Sequence, residues 1–598
     1  MKIILAALNA KYVHSNLAVY NLEAYAEAQL NKDGAEQPEI LVKEYTINHN
    51  LDHIMQSLYR EKAEVIAFSC YIWNVREVLS IAKELSKTAP NTRIWLGGPE
   101  VSYDSVQRME ANPFVEGIMQ GEGERTFYEL VKAWTGGMNK IGEGCTGIPG
   151  IIYRNGEGRI CQNPAAPLMD LDNIPFIYSD LSKFQNRILY YETSRGCPFS
   201  CSYCLSSIDK TVRFRSLSLV EKELQFFLDN RVSQVKFIDR TFNCNRKHAL
   251  AIWDYIVKHD NGVTNFHFEV GADLIGEGEL ALFRKMRPGL IQLEIGLQST
   301  NPDTIQEIRR VMDIGKLKQN MLAIKAFGNI HQHLDLIAGL PYEDFDTFKV
   351  SFQEAYSMQP DQLQLGFLKV LKGSYIEEQA DNYGLIYQDS QPYEVLCTRW
   401  ISYDEILTLK QVEEMVEVYY NSGQFQNVLA YLIPMFETPF QFYELLGQFY
   451  EREQFYGIGF KREARYEALR AFCLEWFEAP LEQLDNLLTF DYYLRENAKS
   501  RPAWAAGNDI EKTAYQAFFK NGGTEEIRLA GGEYDSKAAA RAMHIEKMPD
   551  AAARFLLETG AITAGNIIEE SEIRYCLFDY ERRNPLSGNA FVTVLNHL

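Results

Sequence analysis

Ser194-Arg195-Gly196-Cys197-Pro198-Phe199-Ser200-Cys201-Ser202-Tyr203-Cys204 places three thiols in one short loop, spaced four and then three residues apart. That spacing lets a single loop wrap three sulfurs around one inorganic centre. A zinc site closed by cysteines wants a fourth ligand nearby, and the next cysteine is Cys244, far down the chain. A cubane iron–sulfur cluster usually takes four cysteines. Three would leave one iron open, which points to chemistry rather than electron storage. Two plainer readings stand beside this one: three cysteines buried in a turn, and a zinc loop with a distant fourth ligand.

The stretch directly follows an apolar run, Ile188–Thr193, the first of six strand–helix units. The other strand candidates are Val235–Ile238, Phe266–Gly271, Leu290–Gly296, His331–Ile337 and Gln362–Lys369. Helical spacing lies between them, including Leu219–Asp229, Arg246–His259, Pro302–Val311 and Phe345–Tyr356. Six such units fit an incomplete (β/α)6 barrel better than a closed eightfold one, and barrel chemistry sits at the carboxyl ends of the strands. The thiols fall at such an end. Polar residues at the other ends are candidates for the same site. Asp239 follows the second strand, where an acid can receive an ammonium group in a charge-assisted hydrogen bond. On the third strand His267, Glu269 and Gly271 share one face, and a carboxylate there can bind the two hydroxyls of a ribose. The fourth ends Glu294-Ile295-Gly296-Leu297-Gln298-Ser299, and the fifth reads Leu334-Asp335-Leu336-Ile337-Ala338-Gly339-Leu340-Pro341. Arg309 or Arg310 could meet a carboxylate of a bound ligand, but a solvated helix face is the preferred reading for either.

Upstream, residues 1–140 alternate five short apolar runs with helical patterns: Lys2–Leu8, Glu39–Tyr45, Val65–Ser69, Arg93–Gly97 and Val115–Gln120. This predicts a doubly wound α/β domain, whose ligands bind beyond the strand ends at the switch point. Met1–Leu8 reads as a buried first strand, since its apolar core is too short for a signal peptide. Two loops carry glycines after consecutive strands, Gly97-Gly98-Pro99-Glu100 and Gly121-Glu122-Gly123-Glu124. There is no Gly-x-Gly-x-x-Gly after the first strand and no Walker A pattern, which argues against a nicotinamide or ATP site. Residues 141–185 read as a connector with a hairpin at Asn155-Gly156. Residues 186–375 hold the barrel. From 376 to 598 helical patterns dominate, with a return to strand at Glu572–Tyr580 and Ala590–Leu595 and no catalytic constellation.

The length of 598 residues and an apolar content of 46% call for several folded domains. A net charge of -21 argues against an extended nucleic-acid surface. Ten dispersed cysteines with one cluster are a reduced, intracellular pattern. No apolar run reaches the length of a membrane span. A cytoplasmic location is expected.

The thiol stretch closely resembles the cluster loop of the radical S-adenosylmethionine (SAM) superfamily, Cys-x3-Cys-x2-Cys with an aromatic, here Tyr203, before the last cysteine. The resemblance implies a [4Fe-4S] cluster on Cys197, Cys201 and Cys204, with SAM bound at the open iron and cleaved reductively to a 5′-deoxyadenosyl radical. It implies SAM contacts from Asp239, Glu269, Gln298 and Ser299, with backbone around Ile337 and Gly339 packed on adenine. The paired glycine loops resemble the cobalamin-binding domain that precedes many such cores, with Gly97, Gly98, Pro99, Gly121, Glu122 and Gly123 cradling the corrin. The Asp-x-His-x-x-Gly motif of cobalt-ligating relatives is missing, so His14 is not assigned to cobalt. The last third resembles the helical extension of a class known only as a domain of unknown function. The implied function is a cobalamin-using radical SAM enzyme, foremost a methyltransferase on an unactivated centre. A radical cyclase or rearrangement enzyme and a non-catalytic cobalamin or redox sensor are the alternatives. A small-molecule or peptide substrate and an electron donor such as flavodoxin or ferredoxin are the implied partners.

Overall fold

A computed structural model of the chain describes residues 1–136, 144–456, 461–477, 483–498, 500–507, 510–521, 536–562 and 573–595. The first sheet begins with β1 (Lys2–Asn9), a strand buried along nearly its whole length, as its unbroken apolar run requires. β2 (Glu39–Thr46) and β3 (Val65–Ser69) flank it, and β4 (Arg93–Gly97) and β5 (Gly117–Met119) continue the parallel order β2-β1-β3-β4-β5. Helices α1 (Leu17–Asp33), α2 (Leu51–Arg60), α3 (Val75–Thr88), α4 (Ser105–Ala111) and α5 (Gly123–Thr135) cover the two faces. Asn16 starts α1 by accepting a hydrogen bond from the Val19 amide, and Gly34 ends it in the left-handed region. The expected hairpin forms, as β6 (Ile151–Arg154) and β7 (Ile160–Gln162). It does more than connect: β6 pairs antiparallel with β5, so the ribbon extends the first sheet.

The second sheet is built from β8 (Leu189–Tyr191), β11 (Gln234–Phe237), β12 (Asn265–Val270), β13 (Ile291–Gln298), β14 (His331–Ala338) and β15 (Gln362–Phe367). All are parallel and lie side by side in chain order. A short ribbon, β9 (Ser194–Arg195) against β10 (Arg213–Phe214), carries the cysteine loop between its two strands. The crossovers are α6 (Leu217–Asp229), α7 (Arg246–Lys258), α8 (Glu277–Phe283), α9 (Pro302–Glu307) with α10 (Ile314–Phe327), and α11 (Phe345–Ser357). This is the expected six-unit partial barrel. One face of each strand, such as Phe266, Phe268 and Val270 or Ile291, Leu293, Ile295 and Leu297, is buried under the helices. The alternate residues face the lumen.

After the barrel, β16 (Ile386–Tyr387) and β17 (Val395–Cys397) form a small antiparallel pair. Helices follow at Tyr403–Met415, Gln426–Leu432, Pro439–Arg452, Arg462–Trp476 and Leu484–Arg495. The expected return to strand is present from Ile573 as β19 (Ile573–Arg583) and β20 (Ala590–Leu595), joined by β18 (Met543–Pro549) in an antiparallel sheet. No described helix is long and apolar enough to cross a membrane.

Candidate active site

Cys197 and Cys201 are buried and Cys204 is half-buried in the loop between β9 and β10. The loop is held from both sides. The Ser202 amide donates to the Ile308 carbonyl, and the Ser202 carbonyl accepts from the Ile376 amide. The Cys204 amide donates to the Cys201 carbonyl, tightening the turn. Burial pushes the Cys197 thiol up, and the other two thiols add to the effect. Among the described residues no three His, Cys, Asp or Glu side chains are grouped as ligands of a single metal ion; thiolates on the corners of a cubane stand farther apart than those on one ion. The fold also returns Cys244 to the neighbourhood of Cys197. Its thiol is pushed up to about 11 by burial, with Cys197 the next cause.

Arg310, expected on a solvated helix face, is instead half-buried and packed against this loop. Nη1 lies 3.7 Å from Cys201 Sγ and 3.3 Å from the Tyr203 hydroxyl, and Nη2 donates to the Gly296 carbonyl. The reason is local. α9 ends at Glu307, short of the expected Val311, and Arg309 takes a left-handed backbone at φ 55°, which turns the next side chain inward. Arg309 lies over the Tyr375 ring.

The lumen beneath is polar. Glu294 accepts from Lys236 Nζ at 2.9 Å and lies 3.0 Å from His267 Nε2; the His267 bond, aided by Lys236 and opposed by burial, holds its carboxyl down at about 2. Glu269 pairs in register with Glu294, and Asp335 stands one layer higher beside Gly296. Burial pushes both the Glu269 and the Asp335 carboxyls up to about 7. Asp335 Oδ1 and Gln298 Oε1 are buried with no hydrogen-bond partner. Gln298 has φ 72°, and its amide folds over Gly296, where a Cβ would stand 2.2 Å from Nε2. These unfilled acceptors, with Ile337 half-buried on the same face, suit a ligand that brings hydroxyl and amine donors, as SAM does.

Two expected contacts lie elsewhere. Asp239 is wholly buried, and both its oxygens are taken: it accepts from the Thr193 amide (3.0 Å), the Thr193 hydroxyl (2.7 Å) and the Ser194 hydroxyl (2.5 Å). It anchors the strand that leads into the cysteine loop, so the ammonium contact expected of it is replaced by a positioning role. Ser299 is also fully buried, donating to Glu343 Oε1 at 2.6 Å and accepting from the Asn301 amide. It stabilises the turn after β13 and does not line the lumen. Gly339, at φ 84°, is packed where a Cβ would meet Val395 at 2.7 Å.

The glycine loops of the first domain face this end of the barrel. Gly98, at φ 112°, lies so close to Cys70 that a Cβ would stand 2.5 Å from that carbonyl oxygen, and Gly97 packs on Met119. Pro99 is exposed. Gly121, at φ 71°, is open: nothing lies within 4 Å of where its Cβ would be. A Cβ on Gly123 would meet only a Leu22 methyl, at 3.0 Å. Open backbone at Gly121 suits the close approach of a large ligand, as cobalamin is, whereas the Gly97–Gly98 pair is already required by packing. The glutamates of both loops dock on neighbouring segments. Glu100 accepts from the Tyr393 hydroxyl at 2.6 Å. Glu124 accepts from Arg195 at 2.8 Å, and Glu122 is paired with Arg213. Glu122 is therefore a domain-to-domain contact, not the corrin contact expected of it. His14 Nδ1 lies 2.6 Å from the Tyr190 hydroxyl, also across the junction.

Fold and site define an α/β protein in which a doubly wound ligand-binding domain faces a partial barrel with a three-cysteine loop. Profiles of three families match in series: the B12 binding domain over residues 3–131, the radical SAM superfamily over 191–355, and a protein family of unknown function, DUF4080, over 381–564. The chain therefore carries, in series, a B12-binding domain, a radical SAM domain and a C-terminal domain of unknown function. It is 28% identical over 313 residues to the cobalamin-dependent radical SAM methyltransferase TokK of Streptomyces tokunonensis, covering 48% of this chain and 44% of that one. It is 26% identical over 347 residues to an anaerobic magnesium-protoporphyrin IX monomethyl ester cyclase of Rubrivivax gelatinosus, covering 55% and 60%. The chain therefore spans about half the length of these relatives. The solved structure of the cobalamin-dependent SAM radical enzyme OxsB shares the fold with a TM-score of 0.56 at 16% identity, covering 82% of this chain and 78% of that one.

Proposed function

We propose that the chain is a radical SAM enzyme that uses a [4Fe-4S] cluster and cobalamin, foremost as a methyltransferase acting on an unactivated centre of a small molecule. The observation that carries this reading is the meeting of three elements at one junction: the three-cysteine loop, the unfilled acceptors of the lumen, and the open backbone at Gly121. When bound, the cluster and SAM supply a reductively generated carbon radical, and cobalamin supplies a carrier for a methyl group. The chain's own residues bind and orient. Cys197, Cys201 and Cys204 are the thiolate donors, and Arg310 holds a positive charge beside Cys201. Gln298, Asp335 and Glu269 offer acceptor oxygens to SAM, and donors from a bound ligand would replace the solvation that burial takes from the carboxylates of the last two. An electron donor such as flavodoxin or ferredoxin completes the system. The resemblance to the cyclase supports a second reading, radical ring closure without methyl transfer.

The test is anaerobic reconstitution with iron, sulfide and hydroxocobalamin, followed by SAM and a reductant. 5′-Deoxyadenosine is expected from the wild-type chain and from Cys244→Ala. Cys197→Ala, Cys201→Ala and Cys204→Ala should each lose it together with most of the bound iron. A fully loaded wild-type protein that releases no deoxyadenosine refutes the enzyme reading. S-Adenosylhomocysteine formed alongside separates methyl transfer from ring closure.

A further inference from the structure

The cysteine loop is suspended from a two-strand ribbon whose strands each offer an arginine to the first domain. Arg195 and Arg213 are paired in register across β9 and β10, so their side chains leave the ribbon together. Arg195 binds Glu124 through both terminal nitrogens (2.8 and 3.3 Å), is held by Glu192 through Nε at 2.9 Å and Nη2 at 2.7 Å, and lies 3.4 Å from Glu122. Arg213 forks onto Glu122, donates to the Met169 carbonyl at 2.8 Å, and lies 3.8 Å from Asp209. Glu122 also accepts from the Met169 amide at 3.2 Å. All four of the facing side chains are largely buried. Planar forks on carboxylates fix direction as well as distance. Arg195 lies two residues before Cys197, and Glu122 and Glu124 flank Gly123 in the turn that begins with the open Gly121.

We propose that Arg195 and Arg213 form a positioning clamp that couples ligand binding at the Gly121–Glu124 turn to the placement of the cysteine loop. The inference rests on the cobalamin reading of that turn. A ligand against Gly121 orders the turn, the turn orders the two arginines, and the arginines set the ribbon from which the three thiols hang. By linkage the effect runs both ways: a cluster that orders the loop tightens binding at the turn by the same factor.

The test compares hydroxocobalamin affinity, read by absorbance after equilibrium dialysis, in cluster-free and cluster-loaded protein. In the wild type the loaded form should bind about fivefold tighter or more. In Glu122→Gln, which keeps the shape of the side chain, and in Arg213→Met, the ratio should fall toward one, with folding checked by circular dichroism. A merely structural role would weaken both forms equally and leave the ratio in place. A wild-type ratio of one, or a ratio unchanged in both variants, overturns the clamp while leaving the cobalamin reading intact. Failure of the wild type to retain hydroxocobalamin in either form overturns both.

Discussion

Replacing Asp239 separates an anchor from a ligand contact. Its carboxylate is fully buried and accepts three hydrogen bonds from Thr193 and Ser194. Burial, partly offset by those bonds, lifts the carboxyl from 3.8 to about 6. That difference costs the ionised form about 3 kcal/mol at neutral pH. The folded value lies above the unfolded one, so the folded state holds the proton more tightly. The stability this confers is fully present below about pH 3.8 and is lost as pH rises through about 6. Asp239→Asn removes the titration. Its unfolding free energy, from urea titrations between pH 5 and 8, should therefore lack the component by which the wild type gains stability toward acid, about 1.4 kcal/mol per pH step between the two values. Asp239→Ala leaves the Thr193 amide without an acceptor, at about 1–3 kcal/mol; the Thr193 hydroxyl still has His248 Nε2 at 3.3 Å. SAM affinity should move less than threefold in the Asn variant. A tenfold loss of SAM affinity, about 1.4 kcal/mol, with unchanged unfolding would show that the carboxylate reaches the ligand and refute the anchor.

Gly98→Ala should cost about 2–4 kcal/mol in denaturant unfolding, because φ 112° is strained for any side chain and the Cβ would meet the Cys70 carbonyl. Gly121→Ala, with open space around it, should cost only about 1 kcal/mol from its backbone angle, yet weaken hydroxocobalamin binding more than Gly98→Ala does relative to its stability cost. Arg310→Gln removes a positive charge beside Cys201, so the reduced cluster is less favoured. Its midpoint potential, followed by electron paramagnetic resonance, should fall by about 60 mV, a tenfold change for a one-electron couple.

Both sheets were legible in the sequence because short apolar or alternating runs recur between stretches of helical spacing. β1 and β14 sit within a residue or two of the expected bounds. The lumen face of β12 was legible for the same reason, since alternation places Glu269 opposite Phe268. Arg310 was not, because the pattern carries a helix to Val311, while the chain turns at Arg309 in a left-handed conformation that local spacing does not encode. Asp239 and Ser299 sit at the right strand ends but point into packing; a motif fixes the residue type and not which way the last side chain turns. Glu122 and Glu124 met arginines some seventy to ninety positions away, and such pairings are invisible to any local window. Asp335 lay within reach of the reasoning, since it shares the inward parity of Ile337.

The hairpin that lengthens the first sheet also decides where that sheet can be cut. β5 has only three residues, and β6 satisfies its outer hydrogen-bonding edge through Gly117–Tyr153, Ile118–Ile152 and Met119–Ile151. The Gln120 amide continues the ladder to the Gly150 carbonyl. An expression fragment stopped at residue 140, where the strand–helix rhythm breaks, would leave this edge bare and offer neighbouring chains a template for intermolecular pairing. A fragment carried on to Pro164, whose carbonyl accepts from the Gly150 amide, keeps its own cap. For anyone preparing the ligand-binding half alone, the ribbon between the domains is the hem that keeps the fabric from unravelling into aggregates.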